Sequence, residues 1–95
     1  MKEIPHTFAK LGWSFNQIAR KGAVAIFARW KDPAKPHMEV VRIRQHNGFP
    51  LPDGTRTEPG ESYPPDNQWG RDGFTFSGDG MAERAELKMR ELLES

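Results

Sequence analysis

The sequence contains no cysteine. This absence excludes disulfide frameworks, thiolate-ligated zinc or iron–sulfur centres, and thiol nucleophiles. Long apolar runs are missing as well, because the longest strongly apolar stretch, residues 23–28, is far too short to cross a bilayer. The first residues also lack the apolar region of a signal peptide. We therefore expect a cytoplasmic protein that does not associate with a membrane.

An excess of one sign of charge is missing too. The chain has 14 lysine and arginine residues against 13 aspartate and glutamate residues, which gives a formal net charge of +1 at pH 7. So small a charge produces no global field of the kind that a general polyanion binder uses, and any electrostatic function must come from local patterning. The length of 95 residues allows one modest domain over residues 1–95 and excludes a two-domain enzyme.

Alternating apolar residues predict a β-hairpin in the first half of the chain. Residues 23–30 place Val24 and Ile26 on one side of a strand at a period of two. The prolines of residues 32–36 interrupt this strand, and residues 38–44 then resume an alternating, β-branched pattern. We expect the two strands to pair in antiparallel orientation.

The segment before this hairpin is compatible with two structures. Four apolar residues between positions 8 and 18 have the spacing of an amphipathic helix, whereas residues 13–18 alternate as a strand that leads into a turn at Lys21 and Gly22. A glycine at position 12 would cost a helix interior about 1 kcal/mol relative to alanine. We therefore favour the strand, and residues 1–10 are the candidate for a flexible arm.

The second half of the chain begins with a long irregular stretch and ends in a helix. Residues 47–72 carry five of the eight prolines and four of the nine glycines, which predicts a long loop with a small hairpin around residues 53–54. The apolar arc of the helix has six members: Met81, Ala82, Ala85, Met89, Leu92 and Leu93. Asp79 or Gly80 can cap the helix, and Glu86 and Arg90 have the spacing of an ion pair.

These elements together predict an α+β fold. We expect a small antiparallel sheet of three to four strands, with the C-terminal helix packed on one face and the long loop, rich in proline and glycine, along its edge. The aromatic residues of the loop's second half indicate that this half packs on the core.

The sequence shows no pattern typical of catalysis or metal binding. Gaps of 31 and 9 residues separate His6, His37 and His46, and no cysteine is present to complete a zinc site, so we expect no metal. Asp66 and Asp72 could act as paired carboxylates, but their proline and glycine neighbours favour turn capping. The glycine pairs lack the context of a nucleotide-binding loop. We therefore expect a protein without cofactors that is not an enzyme.

Two candidate binding surfaces remain. In a suitable register, the hairpin presents four residues on one sheet face, namely Phe27, Arg29, Arg42 and Arg44. Arginine beside an aromatic ring can stack on bases and contact phosphate, although a solvated face with arginine stems over apolar surface has the same pattern. The loop presents a second set, Tyr63, Trp69 and Phe74, which either binds a partner protein or completes a small core.

Three stretches also follow a common pattern: Glu39-Val40-Val41-x-Ile43, then Tyr63-Pro64, then Trp69-Gly70-x-x-Gly73-Phe74-Thr75-Phe76. Over residues 23–94, this pattern resembles a group of small proteins of phages, prophages and other mobile elements. No activity is established for that group, so the resemblance implies an α+β domain rich in β-hairpins, an accessory role and no catalytic residue.

The chemistry and the resemblance favour the same function. We expect a non-catalytic interaction module that binds, and can thereby inhibit, a host protein or nucleoprotein complex in the host cytoplasm. The alternative is a nucleic-acid-binding domain that uses the arginine and aromatic sheet face. An exposed strand edge would also permit a homodimer.

Overall fold

A computed structural model describes residues 3–31, 34–64 and 69–94, without the side chains of residues 34 and 35. In chain order the strands are β1 (Thr7–Lys10), β2 (Trp13–Lys21), β3 (Val24–Lys31), β4 (Ala34–Arg42), β5 (Arg44–His46), β6 (Gly60–Ser62) and β7 (Gly73–Phe76), and the helix α1 spans Met81–Glu94. Five strands form one antiparallel sheet in the order β1-β2-β3-β4-β7, and β5 pairs with β6 separately.

The α+β class, the antiparallel hairpin and the C-terminal helix are therefore confirmed. The sheet has five strands instead of the three or four expected, because β1 and β7 extend the predicted meander at its two edges. Residues 13–18 form a strand, so the helical alternative for this segment is wrong. The strand β4 begins inside the proline-rich stretch, and Pro36 lies beyond the part of β4 with which β7 pairs.

The register of the strands divides the side chains of the sheet into two faces. Phe15 lies opposite Arg29, and Phe27 lies opposite Glu39. Because directly opposite residues share a face, these four side chains belong to one face of the sheet. Residues at the intervening positions, such as Val40, belong to the other face.

The helix α1 covers only this second face. Its buried residues Ala85 and Met89 pack against the apolar side chains of Val24, Ile26 and Val40. The main contacts of α1 are with β3, β4 and β7, and Ala19 of β2 packs against the same core. The core on this face is thus a narrow stripe.

The sequence-based details of the helix are mostly confirmed. The helix begins directly after Gly80, and Arg90 Nη2 lies 3.8 Å from Glu86 Oε1. Of the predicted apolar arc, Ala82 and Leu93 remain exposed, because the stripe of contact with the sheet is narrower than the arc.

The other face of the sheet carries a second core. Its buried members are Ile4, Phe15, Ala25, Phe27, Val41 and Ile43. The side chains of Tyr63 and Trp69 pack against this core from the segment that follows β6. The expectation that the second half of the loop packs on the core is therefore confirmed for Tyr63 and Trp69, which lie over a sheet face and not along the sheet edge. Burial of these two large aromatic rings accounts for this placement.

The N-terminal residues belong to the fold as well. The side chain of Ile4 is buried, and its backbone N–H donates a hydrogen bond to Glu61 Oε1 at 3.2 Å. The strand β1 pairs with β2 from Thr7 to Lys10. The flexible arm expected for residues 1–10 is therefore wrong for residues 4–10.

The expected hairpin around residues 53–54 is present as a tight backbone loop. The N–H of Leu51 donates to the carbonyl of Thr55 at 2.8 Å, and the N–H of Thr57 donates to the carbonyl of Phe49 at 2.9 Å. Its two arms are joined through an isolated bridge instead of regular strands. The loop holds the side chains of Phe49 and Leu51 exposed.

Candidate binding cleft

The face without a helix ends in an open cleft of about 390 Å³. The β1–β2 turn forms one side of the cleft, β2, β3 and β4 form its floor, and Tyr63, Pro64 and Trp69 form the other side. The charge and the apolar surface of the cleft come mainly from Lys10, Leu11, Trp13, Arg29, Tyr63 and Trp69. Glu39 lies in its floor.

Glu39 organises the floor of this cleft. It is only 2% exposed. The hydroxyl of Tyr63 donates to its Oε1 at 2.5 Å, and the hydroxyl of Thr75 donates to its Oε2 at 3.2 Å. Arg29 Nε lies 3.1 Å from Oε2 as an ion pair, although its N–H is not aligned for a hydrogen bond. Since a carboxylate is buried at low cost only when such partners replace water, Glu39 holds three cleft side chains in place.

The hydroxyl of Tyr63 acts here as a donor only. Burial, and next the negative charge of Glu39, raise the pKa of Tyr63 well above its ordinary value. The phenol therefore stays protonated over the physiological pH range and is not available as a base.

Arg29 is held by an aromatic ring as well as by Glu39. Its guanidinium carbon lies 4.5 Å from the ring centroid of Trp13, within the range of a cation–π interaction. The imidazole of His37 lies against the same indole at 5.8 Å between centroids. The Arg29 side chain is 26% exposed, and its two terminal nitrogens make no hydrogen bond to any residue of the described chain.

Trp69 forms the opposite wall and is tied to the same floor. Its Nε1–H donates to Thr75 Oγ1 at 2.8 Å, and Thr75 in turn donates to Glu39. The indole lies directly against Gly73, where a Cβ atom would come within 2.5 Å of the ring carbons. Only glycine allows this close approach. The wall and the floor of the cleft are thus one connected unit.

The mouth of the cleft has an unusual backbone conformation. Leu11 has a φ of 54° and is 81% exposed, and the next residue, Gly12, has a φ of 84°. These angles are typical of a type I′ turn, whose first central position favours asparagine, aspartate or glycine. A leucine in the left-handed region costs about 1–2 kcal/mol. An apolar side chain therefore lies exposed at the mouth of the cleft in a backbone conformation that carries strain.

The first predicted surface is not formed as expected. Of its four residues, Arg29 alone lines the cleft, because Phe27 is fully buried beneath it. Arg42 lies opposite Val24 and therefore belongs to the face that α1 covers. Arg44 belongs to β5, in the separate two-stranded sheet. The prediction of one shared surface is wrong, because it depended on a register that the strands do not adopt.

The second predicted surface is formed in part. Tyr63 and Trp69 lie together in the cleft, with their ring centroids 6.2 Å apart. Phe74 lies opposite Val40 on the helix-covered face, where Lys88 Nζ is 4.7 Å from its ring centroid. Phe74 therefore does not share a surface with Tyr63 and Trp69. Its neighbour Thr75 lines the cleft, and successive residues of a strand point to opposite faces of the sheet.

Sequence reasoning missed most of the lining of the cleft, including Trp13, Glu39 and Leu11. A signal was available for Glu39, because it alternates with Val41 on the buried side of a β-branched strand, and a charged residue at such a position needs a specific partner. The exposed Leu11 could have been noticed as an apolar residue before a glycine, in the position of a hairpin turn.

The structure describes one of the two carboxylates considered for catalysis. Asp66 lies outside the described residues. Asp72 Oδ1 lies 3.7 Å from Arg42 Nη1, and the Asp72 carbonyl accepts the Arg42 backbone N–H at 2.8 Å. Asp72 thus joins the residue before β7 to the end of β4, and it does not line the cleft.

Within the described ranges, no group of three or more histidine, cysteine, aspartate or glutamate side chains is placed to hold a metal ion. The described part of the chain also contains no helix with both the length and the apolar character needed to cross a membrane. Comparisons with protein-family models, with curated proteins and with solved structures found no match for this chain.

Proposed function

We propose that this protein is a non-catalytic interaction module and that the cleft over Glu39 is where it binds its partner. The observation that supports this proposal is the state of the polar groups in the cleft. Both carboxylate oxygens of Glu39 are occupied by Tyr63, Thr75 and Arg29. The network therefore orients the walls and leaves neither oxygen of Glu39 free to act as a base toward the described residues of the cleft, which suits binding better than chemistry.

The composition of the cleft fits a protein partner. Tryptophan, tyrosine and arginine are the residues that dominate interface hot spots, and all three types line this cleft. The exposed Leu11 extends the apolar surface beyond its mouth. On the resemblance to proteins of mobile elements, the partner is a host protein or nucleoprotein complex, and the bound module blocks the surface that it covers.

The alternative, a nucleic-acid-binding domain, has less support. Of the four residues on which it depended, Arg29 remains in the cleft. The rings that would stack on bases are already in contact with other groups, Trp13 with Arg29 and His37, and Trp69 with Tyr63 and Gly73. Stacking of bases needs a free aromatic face. We therefore rank this function second.

A comparative capture experiment tests the proposal. Tagged wild-type protein, Trp69→Leu, Arg29→Gln and the control Leu87→Ala are used as baits in host lysate, and the captured proteins are quantified by mass spectrometry. Leu87 is an exposed apolar residue of α1 remote from the cleft. Circular dichroism confirms that each bait is folded.

We expect a partner that wild type and Leu87→Ala retain equally and that both cleft variants lose by at least about tenfold, followed by the same pattern with the purified partner. Equal capture by all four baits would contradict the proposal. Salt-sensitive binding to labelled DNA or RNA that survives in Trp69→Leu would support the alternative.

A further inference from the structure

We propose that the cleft recognises a single carboxylate group carried on an apolar body, and that Arg29 is the residue that binds the carboxylate. This inference rests on the proposed function, because it assigns a ligand class to the same cleft. Three observations support it: the balance of charge in the lining, the free donors of Arg29, and the apolar character of the remaining walls.

The charge of the lining favours a monoanion. Among the described residues, the ionised side chains that line the cleft are Lys10 and Arg29, which are positive, and Glu39, which is negative. The two positive charges and one negative charge of these three side chains leave a single positive charge for the ligand to balance. A phosphate monoester, with nearly two negative charges, would place excess negative charge beside the buried Glu39 carboxylate.

The donors of Arg29 fit a carboxylate in geometry as well. Its Nε faces Glu39, and stacking on Trp13 fixes the plane of the guanidinium. The two terminal nitrogens, which make no hydrogen bond to the described residues, then remain as donors toward the cleft. Arginine binds carboxylates through such a planar pair of donors, and a pre-oriented guanidinium loses little freedom on binding.

The rest of the cleft accepts an apolar body. The rings of Trp13, Phe15, Tyr63 and Trp69 form its walls, and its volume of about 390 Å³ is at the small end of the range for ligand pockets. A ligand with one large apolar side chain next to its carboxylate group would fit this volume. The C-terminal residue of a polypeptide and a free carboxylic acid share this chemistry. A polypeptide would in addition cover Leu11 at the mouth.

The test compares acids with their amides. The probes are acetylated hexapeptides that end in leucine or phenylalanine, each with a free or an amidated C-terminus, together with phenylacetate and phenylacetamide. Binding to the full chain is measured by calorimetry. The variants are Arg29→Lys, which keeps the positive charge beside Glu39 but loses the planar pair of donors, and Arg44→Gln, which removes an arginine outside the cleft.

We expect at least one free-acid probe to bind wild type and Arg44→Gln equally, and to bind at least about tenfold more tightly than its amide. We expect Arg29→Lys to weaken this preference for the acid, because its ammonium keeps the charge but lacks the planar pair of donors, while its thermal unfolding stays cooperative. Preference for the peptide over phenylacetate identifies a polypeptide terminus as the source of the carboxylate, and the reverse order identifies a small acid.

The inference is overturned if no acid binds more tightly than its amide, or if Arg29→Lys retains the full preference of wild type. Either result leaves the proposed function intact when captured partners still depend on Trp69. Conversely, acids that bind through Arg29 while no protein is captured through the cleft would overturn the proposed function and retain this inference.

Discussion

Glu39 is a charged residue in an apolar strand, and the physical cost of its burial explains the cleft. The neighbouring positions of β4, Val40 and Val41, are fully buried, one on each face. A carboxylate at such a depth needs compensation, which Tyr63, Thr75 and Arg29 supply. Their side chains are therefore fixed before any ligand arrives, which lowers the entropic cost of binding.

The substitution Glu39→Gln removes the charge at nearly constant shape. We expect it to lower the free energy of unfolding by about 3 kcal/mol for two reasons. Arg29 loses its counter-charge, and the amide N–H donors of the glutamine would face the hydroxyls of Tyr63 and Thr75, which donate hydrogen bonds to Glu39 in the wild type. Urea unfolding followed by tryptophan fluorescence measures the change. The matched control is Glu86→Gln, which breaks an exposed pair on α1 and should change stability by less than about 0.5 kcal/mol. Equal effects of the two substitutions would rule out the organising role of Glu39.

A substitution at Leu11 is predicted to increase stability and to weaken partner binding. Asparagine is better suited than leucine to the left-handed first position of the β1–β2 turn, so Leu11→Asn should raise the free energy of unfolding by about 1 kcal/mol. The same substitution removes the exposed apolar side chain at the mouth of the cleft and should weaken partner binding. Thermal unfolding and calorimetry check the two effects. A variant that is no more stable, or that binds as tightly as wild type, would contradict this account of the turn.

At the scale of elements, the wall of the cleft depends on how closely β7 approaches the preceding segment. The indole of Trp69 occupies the space where a Cβ of residue 73 would lie. We expect Gly73→Ala to destabilise the fold by about 1–3 kcal/mol through this conflict. In a Trp69→Leu background the same change should cost much less, since the leucine can shift. A double-mutant cycle measured by urea unfolding gives the coupling between the two sites, and strict additivity would show that the two residues do not conflict.

Another contact between elements makes stability depend on pH. Arg20 on β2 donates to both carboxylate oxygens of Glu61 on β6, at 2.7 and 2.6 Å, and the Glu61 side chain is only 7% exposed. These hydrogen bonds hold the pKa of Glu61 below its ordinary value, and the N–H of Ile4 adds to the effect. The pair therefore stabilises the fold above the unfolded pKa of about 4.3, and this contribution is lost as the pH falls through the lower folded value.

The variant Glu61→Gln tests this dependence. Its deficit in unfolding free energy relative to wild type should be about 1.5–3 kcal/mol near neutral pH and should shrink below about pH 4. Chemical denaturation at the two pH values measures it. The control Glu91→Gln removes a surface pair on α1 and should change little at either pH. A deficit for Glu61→Gln that does not decrease in acid would contradict the assignment.

At the scale of the whole molecule, local patterns predicted most elements and the hairpin of β3 and β4, but not the pairings between distant segments. The alternation around Val24 and the apolar arc around Ala85 are properties of neighbouring residues, and both gave the right element. The pairing of β7 with β4 joins Thr75 to Glu39 across a separation that no local pattern encodes. The faces of Arg42 and Phe74 depend on these long-range registers, which explains why both were grouped with the wrong residues.

The candidate site was predictable to a similar extent. Arg29 was named from its place beside Phe27 in an alternating strand, and Tyr63 and Trp69 from residue type, since such side chains recur at binding surfaces. Their common dependence on Glu39 could not be predicted, because it requires the β3–β4 register and the path of the segment after β6. The two sheet faces also differ in how they are covered, one by a helix and one by a segment that leaves a cleft open.

This difference between the faces allows one direct test of the central claim, that the cleft over Glu39 binds an apolar carboxylate. The chain has three tryptophans. Trp13 and Trp69 line the cleft, whereas Trp30 lies opposite Ser14 on the other face. Nuclear magnetic resonance resolves their indole N–H signals during titration with the free-acid hexapeptides. The account predicts shifts for Trp13 and Trp69 with Trp30 unchanged, and shifts confined to Trp30, or none at all, would contradict it.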